Sequence, residues 1–285
     1  MSAAPRVFIA GCGFVGLAVA RLLHSCGWKV IGGTHSAESA MALASESFHI
    51  LACDITDRAA LARLPEVDAV VHCASSGRGG VEQYRAIYFE GAHALLEVLA
   101  PRQFVFTSST SVYAQINGSE VHEASVAEPD RETGKVLRET EELVLSRAGV
   151  VARLAGIYGP GRSVLLKKFF SGEAIIEGDG RRFINQVHRD DVASALAHLI
   201  ELDGRGIFNV NDNEPMTQRA VYEWLAQHFN QPLPPMGPID PNRKRGWTSK
   251  RVSNAKLRAL GWTPKFSSFR DAIELDLSLT RPFQP

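Results

Sequence analysis

The hexapeptide Gly11-Cys12-Gly13-Phe14-Val15-Gly16 follows the apolar run Val7-Phe8-Ile9-Ala10 and precedes the helix-forming run Leu17-Ala18-Val19-Ala20-Arg21-Leu22-Leu23. A strand that feeds this glycine spacing and then opens a helix is the setting in which G-x-G-x-x-G binds a dinucleotide. Each glycine has its own task. Gly11 permits the tight turn, Gly13 lets the main chain approach a diphosphate, and Gly16 lets the helix pack closely on the strand. The diphosphate then sits at the helix N-terminus, where N–H groups lack intrahelical partners. The pattern says what is bound and leaves the reaction open.

Downstream, strand-like runs at 7–10, 29–31, 49–52, 69–73, 104–108 and 150–154 alternate with helical stretches, of which 82–99 and 135–147 are the clearest. Such alternation predicts a parallel sheet with helices on both faces and ligands at the carboxyl ends of the strands. The expected fold is therefore α/β, a Rossmann-type doubly wound parallel sheet over residues 1–155. From about Gly156 the pattern loosens into Gly- and Pro-containing stretches, with short apolar pieces at 174–176 and 207–210 and a helix near 218–229. Residues 156–285 are accordingly read as a smaller C-terminal substrate lobe, with some segments returning to the Rossmann core. The proline-rich stretch 231–241 is either a mobile cover or a plain surface connection.

Composition narrows the class of partner. The 285 residues carry 31 acidic and 31 basic side chains and are 45% hydrophobic, so neither nucleic acid nor an anionic membrane is suggested. No apolar stretch reaches the roughly 18 residues needed to cross a bilayer. The first strand run starts within a few residues of Met1, which leaves no room for a signal peptide, and the expected location is the cytoplasm. Cys12, Cys26, Cys53 and Cys73 form no C-x-x-C pair and are read as reduced thiols. The histidines show no paired spacing, so no metal site is expected.

Several further segments resemble one family. They include Cys53-Asp54-Ile55, His72-Cys73-Ala74-Ser75, Phe106-Thr107-Ser108-Ser109-Thr110-Ser111-Val112-Tyr113, Arg153-Leu154-Ala155-Gly156-Ile157-Tyr158-Gly159-Pro160-Gly161-Arg162, and Asn185-Gln186-Val187-His188-Arg189-Asp190-Asp191. Together with the glycine loop they resemble the extended and atypical short-chain dehydrogenases/reductases, the NAD-dependent epimerase/dehydratase-like proteins. The C-terminal Lys250-Arg251-Val252-Ser253-Asn254 and Leu260-Gly261-Trp262 fit the same resemblance.

That resemblance implies site residues. Gly11, Gly13, Phe14, Val15 and Gly16 would hold the cofactor diphosphate, Asp54 with Ile55 the adenine, and Cys73, Ala74 and Ser75 the ribose. Asp54 would otherwise be a cap for the helix starting near Asp57. At the end of the second strand, where an acidic residue about 20 positions beyond the glycine loop would grip the 2′-hydroxyl of NAD, the chain offers Thr34-His35-Ser36. Hydroxyls and a histidine tolerate a 2′-phosphate that a carboxylate would repel, so NADP is preferred over NAD.

At the catalytic centre the chain departs from its relatives. Ser109 matches the family's serine that holds the substrate oxygen. The expected tyrosine and lysine, four residues apart, are replaced by Thr133 and Leu137. A threonine cannot do a phenol's acid–base work near neutral pH, and a leucine brings no charge to tune one. Tyr113, Lys135 and Tyr158 are the candidates to compensate, although Lys135 is rotated about 200° from the usual lysine on an ideal helix. Tyr158 and Arg162, in the turn beside the expected substrate cleft, are also substrate-binding candidates, the guanidinium suiting a phosphate or carboxylate.

Two functions remain open. One is an NAD(P)-dependent oxidoreductase or epimerase-like enzyme acting on a carbonyl or hydroxyl of a small polar, sugar-nucleotide-like substrate. The other is a non-catalytic NAD(P)-binding sensor or regulatory protein. A homodimer through helices 82–99 and 135–147, with Tyr84, Tyr88 and Phe89 adding apolar contact, is a further expectation from the family.

Overall fold

Seven strands make up the central sheet, and the inner ones are buried on both faces, which is why they read as near-continuous apolar runs. The computed structural model describes residues 4–77, 79–240 and 247–280. Strand β1 (Arg6–Ala10), helix α1 (Phe14–Ser25), β2 (Lys29–Thr34), α2 (Ala37–Ala42), β3 (His49–Ala52), α3 (Arg58–Leu61) and β4 (Ala69–His72) open the chain. Helix α4 (Val81–Tyr84) runs through a π-helical turn (Arg85–Glu90) into α5 (Gly91–Leu99), followed by β5 (Gln103–Ser109), β6 (Glu120–Val121), α6 (Glu132–Ser146) and β7 (Val150–Leu154). The stretch expected as one helix over 82–99 is thus interrupted by a register shift. Helix α6 starts three residues before the expected 135.

The sheet order is β12-β7-β5-β4-β1-β2-β3, with every pairing parallel. Strand order reverses between β1 and β4, and in an open α/β sheet that reversal leaves a crevice at the carboxyl ends for a ligand.

The rest of the chain comprises β8 (Gly156–Tyr158), α7 (Val164–Phe170), β9 (Ile176–Glu177), β10 (Phe183–Ile184), β11 (Gln186–His188), α8 (Arg189–Glu201), β12 (Gly206–Val210), β13 (Met216–Thr217) and α9 (Gln218–His228). It continues through β14 (Met236–Gly237), β15 (Arg251–Val252), α10 (Ala255–Ala259) and α11 (Phe269–Leu275). Here β12 extends the central sheet beside β7, and α8 packs along α1. A separate apolar cluster gathers Tyr158, Phe169, Ile176, Tyr222, Leu225, Phe266 and Phe269. The proline-rich stretch is tied down rather than draped over a cleft, since Met236 and Gly237 pair with β9 and Pro235 O accepts from Ile176 N at 2.9 Å. Its last residue, Pro241, lies outside the described residues. No helix among the described residues is long and apolar enough to cross a membrane.

Two buried links lock the layers. His188 caps α8, accepting from Asp190 N at 3.2 Å, while Asp191 accepts from Lys265 N (2.6 Å) and Phe266 N (3.2 Å), fastening the C-terminal segment to α8. Glu141 on α6 is fully buried and receives the Arg153 guanidinium of β7 in a two-point contact (3.0 and 2.6 Å) and the Ser108 hydroxyl of β5 at 2.6 Å. Arg138 also pairs with Glu141.

Removing one member of such a buried pair leaves an uncompensated charge, so Glu141→Ala is expected to lower the unfolding free energy by about 3–5 kcal/mol in urea denaturation. Replacing Glu141 and Arg153 together with Met should recover most of that loss. A loss below about 1 kcal/mol, the range of an exposed pair, would contradict this account.

Candidate active site

The β1–α1 connection is built by close approach. Gly11 has φ +94°, and a Cβ there would lie 2.4 Å from the main chain of Ala74. A Cβ on Gly16 would meet the carbonyl oxygen of Gly11 at 2.2 Å. Only glycine fits either place. Gly11 N and Cys12 N both donate to Gly33 O (3.1 and 2.7 Å), which fixes the loop against the end of β2. Gly13 is different: a Cβ there would meet nothing within 4 Å, and its backbone faces the cavity. Helix α1 begins with no side-chain cap and no acidic residue in its first turn, so its N-terminal N–H groups and dipole remain available to an anion. The residues present fit a dinucleotide diphosphate.

Around this loop lies a cavity of about 500 Å³. Of the residues singled out for the cofactor, Gly11, Gly13, Phe14, Val15, Thr34, His35, Asp54, Ile55, Cys73, Ala74 and Ser75 line it, while Gly16 and Ser36 do not. Gly16 acts through the strand–helix contact instead. Ser36 caps α2, accepting from Ser39 N. The Thr34 hydroxyl donates to Ser36 O at 3.1 Å, and exposed His35 and Ser39 are the other polar side chains at that rim. Asp54 accepts from Thr56 N (2.9 Å) and Thr56 Oγ1 (2.8 Å), and the main-chain bond is the chief cause of its lowered pKa. The cap of α3 is Asp57, not Asp54.

At the opposite end, Thr107, Ser108, Ser109, Ser111, Leu137, Leu154, Ala155 and Ile157 form the wall. Ser109 Oγ accepts from Ser111 N at 3.2 Å, closing a 3₁₀ turn over Thr110–Val112. Arg162 reaches the rim, its guanidinium 5.0 Å from the Phe14 ring centroid. A second cavity of about 400 Å³ adjoins the first. Thr133, Gly134, Arg131, Trp247 and Thr248 help to line it, and Tyr84, Ser111 and Leu137 belong to both.

The three compensating candidates lie away from these walls. Tyr113 is buried, its hydroxyl bonded to Asn209 Oδ1 (2.9 Å) and His122 O (3.1 Å), with the Arg153 guanidinium 4.8 Å from its ring centroid. Burial raises its phenol pKa further from neutrality. Tyr158 packs edge-on against His188 and Phe269, and burial raises its pKa as well. Lys135 stands on the exposed face of α6, bonded to Glu132 at 2.7 Å, a contact that raises its pKa.

Residues on the α4 side, of which Tyr84 and Tyr88 were expected from sequence to add apolar contact in a dimer, also reach the cavity. Tyr84, Ile87 and Tyr88 line the first cavity from the π-helical turn and its approach. Fully buried His72 holds that turn through a 3.0 Å bond between Nε2 and Ile87 O, and burial lowers its pKa to about 4, so the ring is neutral. The i, i+4 spacing of Tyr84 and Tyr88 was visible in sequence as one helical face. Which way that face turned was not.

Fold and glycine loop together define a Rossmann-type NAD-binding protein, and comparison with known proteins gives the family. Residues 7–210 match the NAD dependent epimerase/dehydratase family, and the chain belongs to it. Protein YeeZ of Escherichia coli K12 is 32% identical over 237 residues, covering 78% of this chain and 83% of that one. A structure from Methylobacillus flagellatus, described as a candidate NAD-dependent epimerase/dehydratase, superposes with a TM-score of 0.82 at 27% identity over 98% of this chain and 100% of that one. A UDP-glucose 4-epimerase from Thermotoga maritima, solved with UDP-glucose, superposes with a TM-score of 0.81 over 97% of this chain and 99% of that one. At 20% identity the last likeness concerns the fold.

Three thiols, Cys12, Cys53 and Cys73, line the first cavity. Burial pushes Cys12 and Cys73 up to about 12 and raises Cys53, which leaves them protonated and poor nucleophiles at neutral pH. Alkylation followed by mass spectrometry should therefore modify exposed Cys26 well before the other three. Modification of Cys12 or Cys73 first would contradict the protonated, shielded thiols described here.

Proposed function

We propose that the protein is an NAD(P)-dependent enzyme that exchanges a hydride with a carbonyl or hydroxyl carbon of a small polar substrate. The reading is supported above all by two adjoining cavities that meet at Tyr84, Ser111 and Leu137, one of them built on the glycine loop. Gly13 and the α1 N-terminus would hold the diphosphate of a dinucleotide in the larger cavity, Asp54 would meet its adenine, and Ser109 and Leu137 would flank its nicotinamide. When bound, the nicotinamide gives or takes the hydride. Ser109 orients the substrate oxygen by hydrogen bonding, and apolar Leu137 and Ile157 keep water from the reacting carbon. Arg162, which has no carboxylate partner among the described residues, contributes positive charge at the rim.

The second reading, a cofactor-binding sensor, is favoured by Thr133 and Leu137 standing where the family places its tyrosine and lysine. Hydride exchange with any substrate separates the two, and sugar nucleotides are the first compounds to screen.

Calorimetric titration of the cofactor-stripped protein tests the binding step. NADPH is expected to bind about tenfold more tightly than NADH, a difference of about 1.4 kcal/mol. Thr34→Asp should reverse the order by repelling the 2′-phosphate and gripping the free 2′-hydroxyl. Equal binding of both cofactors by the unmodified chain would remove the NADP preference, and binding of neither would overturn the enzyme reading. Once a substrate is found, Ser109→Ala should slow turnover about 100-fold without weakening NADPH binding, and an unchanged rate would remove Ser109 from the mechanism.

A further inference from the structure

The chain has five tyrosines. Tyr113 and Tyr158 are committed to buried packing, and Tyr222 lies in the core of the C-terminal lobe. Tyr88 lines the cofactor cavity, but its hydroxyl turns toward Ser75 Oγ at 3.5 Å, on the ribose side. Tyr84 alone lines both cavities, sharing their junction with Ser111 and Leu137. It is 8% exposed, its ring 4.9 Å from that of Tyr88, and α4 packs against α6, the helix that has lost the family's phenol. The π-helical turn beginning at Arg85 sets this face toward the cavities, a kind of interruption that recurs at functional sites.

We propose that Tyr84 is the catalytic acid–base residue of this protein, so that the proton-transferring phenol has moved from α6 to α4. The proposal rests on the enzyme reading above. In the reductive direction a hydride from the reduced nicotinamide forms a C–H bond at the substrate carbonyl carbon, and the π pair moves onto oxygen. That oxygen takes the Tyr84 proton and becomes a hydroxyl, leaving oxidised nicotinamide and a tyrosinate that solvent reprotonates. In the oxidative direction the tyrosinate accepts the hydroxyl proton as the hydride leaves carbon. With Leu137 in place of lysine, the charge that favours the tyrosinate is the cationic ring of the oxidised cofactor. Tyr84 is therefore acidified by cofactor rather than by a resident side chain.

This coupling has a readout that needs no substrate. Near-ultraviolet titration of tyrosinate absorbance, with and without saturating NADP⁺, should show one phenol ionising about one to three pH units lower in the complex than its ordinary value of about 10. Tyr84→Phe, which keeps the ring and removes only the hydroxyl, should abolish that step while NADP⁺ still binds by calorimetry and the unfolding temperature is preserved. Tyr88→Phe should retain it. A step that survives in Tyr84→Phe, or bound NADP⁺ that shifts no phenol, would overturn the assignment and leave the enzyme reading standing. Failure of the unmodified protein to bind NADP⁺ or NAD⁺ would overturn both. If Tyr84→Phe loses NADP⁺ binding altogether, the hydroxyl is a cofactor-binding group and the proton-transfer role falls.

Discussion

Everything at the centre of this protein depends on how closely α1 approaches β1. The carbonyl of Gly11 occupies the space where a Cβ of residue 16 would be, and the main chain of Ala74 occupies the space where a Cβ of residue 11 would be. These contacts bring β1, β4 and the first turn of α1 together at the point where strand order reverses. The open side of Gly13 and the uncapped α1 N-terminus then face the same cavity. A methyl group at position 11 or 16 would lie 2.4 or 2.2 Å from main-chain atoms and force the elements apart, so the anion site and the sheet–helix packing are one constraint.

The other end of the cavity is held by charge instead of by steric fit. Buried Glu141 gathers Arg153, Arg138 and Ser108, tying α6 to β5 and β7 beside the cavity wall. This holds α6, and with it Thr133 and Leu137, beside the cavities. On the facing side, neutral His72 anchors the π-helical turn that carries Tyr88 and follows Tyr84. Glu141 and His72 thus hold the two sides of the junction in place. Of the described residues that line both cavities, the polar ones are Tyr84 and Ser111, the latter in the 3₁₀ turn after Ser109.

Much of the fold was legible because the central strands are apolar on both faces and glycine punctuates the first crossover. The runs at 49–52 and 150–154 coincide with β3 and β7 to the residue. The π-helical turn was not legible, because a single shift in hydrogen-bond register leaves the apolar pattern of 82–99 almost unchanged. Nor was the destination of 207–210: a short apolar run in a loosely patterned region carries no mark saying that it will pair with β7. The glycine loop could be named from spacing, since turn geometry and close approach fix it locally, whereas Asp54, Ile55, Cys73, Ala74 and Ser75 were named through the family resemblance and line the cavity beside it. Tyr113 and Tyr158 show the limit of that approach. Their direction is decided by Asn209, Arg153 and Phe269, far away in the chain, and no local pattern reports it.

The central claim is that a dinucleotide lies along the sheet's carboxyl edge with its nicotinamide at the meeting point of the two cavities. A crystal structure of the protein with NADPH tests it most directly. The account predicts the diphosphate over Gly13 and Phe14, the adenine beside Asp54, and the nicotinamide ring against Leu137 with the Tyr84 hydroxyl on its reacting side. A dinucleotide bound with its nicotinamide turned away from Tyr84, Ser111 and Leu137, or density for the cofactor outside this cavity, would contradict it.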